Sequence, residues 1–126
     1  AQVLTLNVSA QVALIEAFDP MLRRSTGGRV IGVTSSVGRA PRAYWGAYGA
    51  SKAAFETLLE AYGDETAEVS KLRVAVLDPG ATRTKMRARA YPGEDPNSVK
   101  PPETVAARIV ALAIEGFPAN HRERVG

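Results

Sequence analysis

Hydrophobic and polar positions alternate along this chain in blocks of two periodicities. Over residues 1–19, Leu4, Val8, Val12 and Ile15 recur at helical spacing, with Ala10, Leu14 and Phe18 as a second stripe beside them. So wide an apolar face predicts a helix buried on more than one side. Pro20 lacks an N–H and crowds the carbonyl of Glu16, so a kink or a loose last turn is expected through Met21-Leu22-Arg23-Arg24, followed by a turn at Ser25-Thr26-Gly27-Gly28. Residues 29–34 read as a strand, because Val30-Ile31-Gly32-Val33 is continuously apolar, as in a parallel sheet covered on both faces. Residues 37–43 read as a loop. A second helix is predicted over about 47–69, with Tyr48, Lys52, Phe55, Leu59 and Tyr62 on one stripe and the small Ala50, Ala54, Thr57 and Ala61 on another. Gly63 interrupts it at a cost of about 1 kcal/mol relative to alanine, which predicts a weak point.

Residues 72–77 form a second apolar strand, stopped by Asp78-Pro79-Gly80. Residues 82–90 read as a short helix or an ordered loop, and 91–97 as a turn-rich connector. Pro101-Pro102 opens a third helix, with Val105, Ile109 and Leu112 on its stripe and Gly116-Phe117-Pro118 at its end. The remaining residues are polar and are expected to fray. No internal repeat or low-complexity segment interrupts this order. Helix, strand, helix, strand and helix imply an α/β fold with parallel strands and right-handed crossovers. Ligands of such sheets bind at the carboxyl ends of the strands, where Ser35 and Asp78-Pro79-Gly80 fall.

Composition narrows the function classes. The 126 residues suit one domain with one core, and 45% hydrophobic with 23% charged residues is ordinary for a soluble globular protein. No apolar run approaches the ~20 residues of a membrane span, and residues 1–6 carry no basic signal-peptide region. The absence of cysteine excludes disulfides, thiolate zinc sites and cysteine nucleophiles. No metal site is expected, and a cytoplasmic location is. His121, the single histidine, lies in a polar stretch and is expected to be solvated. The net charge of +3 is small. Its one cluster, Arg83, Lys85, Arg87 and Arg89, has no interleaved aromatics, so neither nucleic acid nor membrane is expected as a partner. A solvated face, or a rim that attracts an anionic ligand, fits better.

Candidate chemistry begins at Tyr48-Gly49-Ala50-Ser51-Lys52. On a helix, positions i and i+4 share a face with Cβ atoms roughly 5–6 Å apart, which sets an ammonium beside a phenol. A nearby cation lowers a phenol's pKa. A shift of ~3 units takes roughly 4 kcal/mol and gives a tyrosine suited to acid–base work near neutrality. The expectation is therefore that Lys52 lowers the pKa of Tyr48. A bare pair of this kind is more often an ordinary surface pair, so the surroundings decide. Ser35 lies thirteen residues before Tyr48, Asn7 lies far upstream, and Asp78-Pro79-Gly80-Ala81-Thr82-Arg83-Thr84 follows the second apolar strand.

In this order the motifs resemble the short-chain dehydrogenase/reductase family over roughly residues 1–117. Tyr44-Trp45-Gly46-Ala47-Tyr48-Gly49-Ala50-Ser51-Lys52 and Thr82-Arg83-Thr84-Lys85-Met86-Arg87-Ala88 are similar to its YciK-type bacterial oxidoreductases. The resemblance implies an NAD(P)-dependent oxidoreductase, with NAD or NADP as cofactor and a small-molecule alcohol or carbonyl substrate. It implies Tyr48 as the general acid or base and Lys52 as the tuner of its pKa and the holder of the nicotinamide ribose. Ser35 would orient the substrate oxygen, and Asn7 would hold a water linking Lys52 to solvent. Pro79 and Gly80 would shape a turn beside the nicotinamide, with Thr82 and Thr84 contacting carboxamide and phosphates. Ser36 competes with Ser35: the spacing to Tyr48 selects Ser35, while alignment on the second serine of the pair selects Ser36. A turn followed by a helix N-cap also accounts for Thr82 and Thr84, and a structural amide in a kinked helix accounts for Asn7.

The resemblance is to the family's C-terminal, catalytic half, so residues 1–126 are expected to form a single-domain fragment: a partial Rossmann-like, doubly wound parallel sheet without its first βαβ units. No Gly-rich phosphate loop follows a strand; Gly27-Gly28 precedes one instead. No residue selects NAD over NADP. A non-catalytic homologue serving as a binding or oligomerisation module is the alternative reading, against which the intact Tyr-Lys-Ser-Asn set argues. An extended-branch epimerase or dehydratase is a third, disfavoured by Pro79-Gly80. The wide helix faces and the family's four-helix interfaces imply a homodimer or homotetramer, with Ala54 and Ala61 near the contact.

Overall fold

The structure, a computed structural model, describes residues 2–126. A short helix α1 (Gln2–Leu4) runs through a π-helical stretch (Thr5–Ser9) into α2 (Ala10–Arg24). Strand β1 (Arg29–Val33), a 3₁₀ turn (Ser36–Gly38) and the long helix α3 (Gly46–Ala67) follow. The chain then forms β2 (Arg73–Asp78), α4 (Lys85–Ala90), a second 3₁₀ turn (Pro96–Ser98), α5 (Pro102–Glu115) and β3 (His121–Arg124).

The sheet is parallel throughout, in the order β1-β2-β3, with Val33 opposite Leu77 and Asp78 opposite Arg124. Successive side chains of β2 point to opposite faces, and each face has its own core. Val74 and Val76 pack with Leu72 and with Phe55, Leu59 and Tyr62 of α3, and Ile15 and Leu22 of α2 close over them. Leu77 packs the other way, with Val105 and Leu112 of α5 and with Val125. Helices on both faces of a parallel sheet are what the apolar strand runs predict, and the α/β architecture with a partial doubly wound sheet is what forms. No helix among the described residues is long and apolar enough to cross a membrane.

Four local expectations are corrected. Pro20 leaves no loose last turn, since α2 continues through it to Arg24. The last turn is held by tertiary contacts: Leu22 packs against the α3 core, Asp19 accepts a hydrogen bond from the Tyr62 hydroxyl at 2.5 Å, and Arg23 donates to Asp19 at 2.7 Å. Gly63 is not a weak point either. It is buried, and a Cβ there would lie 3.3 Å from Val74 Cβ and 2.5 Å from Asn120 Oδ1, so its lack of a side chain lets α3 approach the sheet.

The tail after Pro118 does not fray; it adds β3 to the sheet. Its polar side chains are paired, with Glu123 accepting from the Arg108 guanidinium and His121 Nε2 lying 2.9 Å from Glu123 Oε1. The His121 ring also stacks on Phe117, with centroids 5.8 Å apart. The expectation of a solvated His121 is therefore corrected too.

Candidate active site

Two parallel strands end side by side, and the candidate residues gather at that carboxyl edge. Thr34 N donates to Leu77 O at 2.9 Å, so Ser35 and Asp78-Pro79-Gly80 leave the sheet as neighbours. Beyond β1, Ser35 caps the 3₁₀ turn by accepting from Val37 N at 3.5 Å. Val37 is buried against α3, where a Cβ at Gly49 would lie 2.8 Å from the Val37 carbonyl oxygen. Only a glycine at 49 lets this turn settle one residue after Tyr48.

The half-buried Tyr48 lies in the first turn of α3. Burial raises its phenol above the usual tyrosine range, while a hydrogen bond with the Ser35 side chain pulls the other way. Lys52 donates from Nζ to Val33 O at 3.2 Å, and its ammonium stands 5.8 Å from the Tyr48 ring centroid and 5.6 Å from that of Phe55. Burial holds Lys52 below the usual lysine range, opposed by the negative charge of Glu56. The expectation that Lys52 lowers the Tyr48 pKa is not met. The ammonium is drawn back to the strand carbonyl, and desolvation of the phenolate is the largest influence on Tyr48.

The two serines take different partners. Ser35 faces Tyr48, whereas Ser36 Oγ accepts from Arg42 Nη2 at 2.9 Å. Asn7 sits in the π-helical stretch, which shifts the helix face by one residue, and its Nδ2 donates to Ser51 Oγ at 3.1 Å. Ser51, fully buried, donates a hydrogen bond from its own hydroxyl to the Tyr48 carbonyl oxygen at 2.7 Å. Asn7 is thus joined to the Tyr48 turn through Ser51 rather than directly to Lys52. Sequence reasoning missed Ser51 and Glu56. Their signal was a polar residue on the face of α3 that the apolar stripe marks as buried.

At the end of β2, Gly80 N donates to Asp78 Oδ1 at 2.9 Å, and Gly80 adopts φ +67°, a left-handed backbone that favours glycine. Thr82 Oγ1 turns back to Gly80 O at 3.1 Å, and Thr82 bridges to Lys100, whose Nζ donates to Ala81 O at 2.7 Å. Thr84 caps α4 by accepting from Arg87 N at 3.1 Å. Both threonine oxygens therefore serve the turn and the cap, which limits what each can offer a ligand to its remaining hydroxyl capacity. An aromatic chain joins this segment to the tyrosine. Trp45 meets Tyr48 edge-on at 5.7 Å and stacks on Tyr91 at 6.4 Å, and Arg87 lies 3.8 Å over Tyr91 while pairing with Glu94.

The donors gathered here are a phenol, an ammonium, a serine hydroxyl and a Pro-Gly turn at strand ends. They fit the ribose and nicotinamide end of a dinucleotide. The pyrophosphate end is not matched, since no Gly-rich turn in this sequence follows a strand and opens a helix. Two surface hollows, one involving Asn120 and His121 and one between α5 and Val125, are lined by none of these residues.

A family model for short chain dehydrogenases matches residues 1–95. The chain is 45% identical over 103 residues to the uncharacterized oxidoreductase YciK of Escherichia coli strain K12, covering 82% of this chain and 40% of that protein. It is 35% identical over 94 residues to the 2,3-dihydro-2,3-dihydroxybenzoate dehydrogenase of the same strain, covering 75% and 38%. A short chain dehydrogenase from Shigella flexneri 2a strain 301, solved in complex with NADP, superposes with a TM-score of 0.88 at 37% identity, over 96% of this chain and 51% of that one. The chain thus spans about two fifths of the length of the curated relatives it matches and about half of the solved chain.

Proposed function

The chain belongs to the short chain dehydrogenase family, and from that membership we propose that its polar cluster is the nicotinamide end of an NAD- or NADP-dependent oxidoreductase site. The observation that carries the reading is the Tyr48 phenol flanked by the Ser35 hydroxyl and the Lys52 ammonium, at the carboxyl edge of a parallel sheet. The NADP complex of the Shigella protein supports the cofactor class. When bound, a nicotinamide supplies or accepts the hydride.

The chain's own residues do the rest. Tyr48 gives its phenolic proton to a carbonyl oxygen during reduction, or takes one from an alcohol during oxidation. Its raised pKa keeps the phenol protonated at neutral pH, the form that donates during reduction. Ser35 orients the reacting oxygen. Lys52 spends one of its three N–H donors on Val33 O and presents the charge to a ribose diol. Asn7 and Ser51 fix the tyrosine turn, and Asn7 holds a water on the path from Lys52 to solvent. Pro79 and Gly80 shape the wall beside the ring; Thr84 keeps a hydroxyl proton for the phosphates, while Thr82, whose proton is held by Gly80 O, turns its oxygen lone pairs to the carboxamide N–H. The substrate class is a small alcohol or carbonyl compound. A relative named for 2,3-dihydro-2,3-dihydroxybenzoate makes a cyclic diol the first compound to test.

In the full chain, Tyr48→Phe is expected to abolish turnover while NADPH affinity, followed by nucleotide fluorescence, stays near wild type. Retention of more than about a tenth of kcat, a change below ~1.4 kcal/mol, would remove Tyr48 from the acid–base role.

A further inference from the structure

Glu56 is a buried carboxylate that the reading above leaves without a task. It lies one helical turn after Lys52 on α3 and is 4% exposed. Burying a carboxylate is costly unless it is paired, and Glu56 is paired from two other elements. Arg39, just beyond the 3₁₀ turn that follows Ser35, places Nε 3.4 Å from Glu56 Oε1, and Arg122 of β3 pairs with the same oxygen. Glu60, a further turn along α3, takes Arg39 Nη2 at 2.8 Å and Arg122 Nη1 at 3.5 Å. Two carboxylates and two guanidiniums thus form a neutral square that joins the serine turn, the tyrosine helix and the last strand.

The second oxygen of Glu56 is buried without a hydrogen-bond partner among the described residues and lies against Gly38, where a Cβ would approach it to 2.5 Å. The turn itself is short and stiff. Gly38 N donates to Ser35 O at 3.1 Å, and Arg39 N and Ala40 N both donate to Ser36 O. Whatever holds Arg39 therefore also holds the turn that begins at Ser35.

We infer that Glu56 is a positioning residue for the active site: buried on α3 one helical turn after Lys52, it grips Arg39 and so fixes the Ser35 turn against the tyrosine helix. This deepens the proposed dehydrogenase function and rests on it. Glu56 touches neither substrate nor cofactor and acts through Ser35 and Lys52. Around Lys52 the charged and titratable groups are Glu56 and Tyr48 on its own helix; around Glu56 they are Arg39, Arg122 and, along the helix, Glu60. A purely structural carboxylate would lower stability when neutralised without moving Lys52.

The test compares wild type and Glu56→Gln in the full chain with two readouts that need no turnover. The pH dependence of Lys52 acetylation, with Lys85 as internal reference, is expected to move to lower pH in the variant, because the charge opposing desolvation is lost. Amide exchange at Gly38, Arg39 and Ala40 is expected to speed up about tenfold. Either readout staying at its wild-type value overturns the proposal, whatever happens to Tm. Should Glu56→Gln fail to fold, Arg39→Met removes only the exposed guanidinium. It is expected to speed exchange at residues 38–40 without moving Lys52, and unchanged exchange overturns the anchoring. Failure here leaves the Tyr48→Phe test standing, and failure of that test leaves the grip of Glu56 on the turn measurable.

Discussion

Ser35 and Ser36 are adjacent hydroxyls with separate partners, and the difference between them is measurable. Ser35 hydrogen-bonds with the Tyr48 phenol and opposes the rise that burial imposes, whereas Ser36 accepts from Arg42. A raised folded pKa means that Tyr48 carries its proton through neutral pH. Reduction should then be flat with pH and fall only as the phenol ionises, while oxidation should rise with pH. Ser35→Ala removes the opposing hydrogen bond, so the alkaline limb of kcat/KM should move to still higher pH, with kcat reduced about 10–100-fold. Ser36→Ala should stay within about twofold, since it touches Arg42 and not the phenol. A pH-rate profile of both variants in the full chain checks the assignment, and a larger loss in Ser36→Ala reverses it. In the sequence, spacing to Tyr48 points to Ser35 and alignment on the second serine to Ser36; in the 3₁₀ turn the two hydroxyls take different partners.

Elements whose apolar periodicity is strong were legible in the sequence, and those made by partners were not. The two strands Arg29–Val33 and Arg73–Asp78 and the helices Gly46–Ala67 and Pro102–Glu115 follow their apolar runs within a residue or two. The strand His121–Arg124 has no such run, as His-Arg-Glu-Arg is polar throughout. It forms because β2 offers a parallel ladder and because the Arg108 guanidinium of α5 pairs with Glu123, beside which the His121 ring also lies. Neither partner is local in sequence. The Arg108 hydrogen bond chiefly holds the Glu123 carboxyl down, at about 2. A depressed folded pKa contributes stability that is present above the unfolded value near 4.5 and is lost as pH falls through about 2. Allowing for solvent screening of this partly exposed pair, Glu123→Gln should cost about 1–2 kcal/mol at neutral pH. The cost should shrink progressively below pH 4.5 and vanish near pH 2. Chemical denaturation at two pH values measures it, and a cost that persists at low pH would show that packing, not charge, holds β3.

At the scale of the whole molecule, apolar surface and open sheet edge set the remaining expectations. Leu4, Leu6, Leu14, Phe18 and Met21, on α1, α2 and the π-helical stretch between them, are each at least half exposed, and Ala61 is open on α3. An exposed apolar face of this kind marks an association surface. The full chain should be a homodimer or homotetramer with Ala54 and Ala61 near the contact, and a monomer mass by light scattering at tens of micromolar would refute this. The outer edge of β1 also lacks a strand partner among the described residues, and Val33 at its end is 40% exposed. Such an edge pairs with other chains unless it is covered. Residues 1–126 by themselves hold the groups that suit a ribose and nicotinamide, and no glycine turn and helix N-terminus for a pyrophosphate. Most of a dinucleotide would thus remain in water while the chain still bore the ordering cost of binding. The isolated polypeptide should therefore bind NADP(H) or NAD(H) no better than about millimolar, and should tend to aggregate through the β1 edge. Titration calorimetry on residues 1–126 decides the point: micromolar affinity would mean that the pyrophosphate is held by residues of this chain outside the cluster around Tyr48.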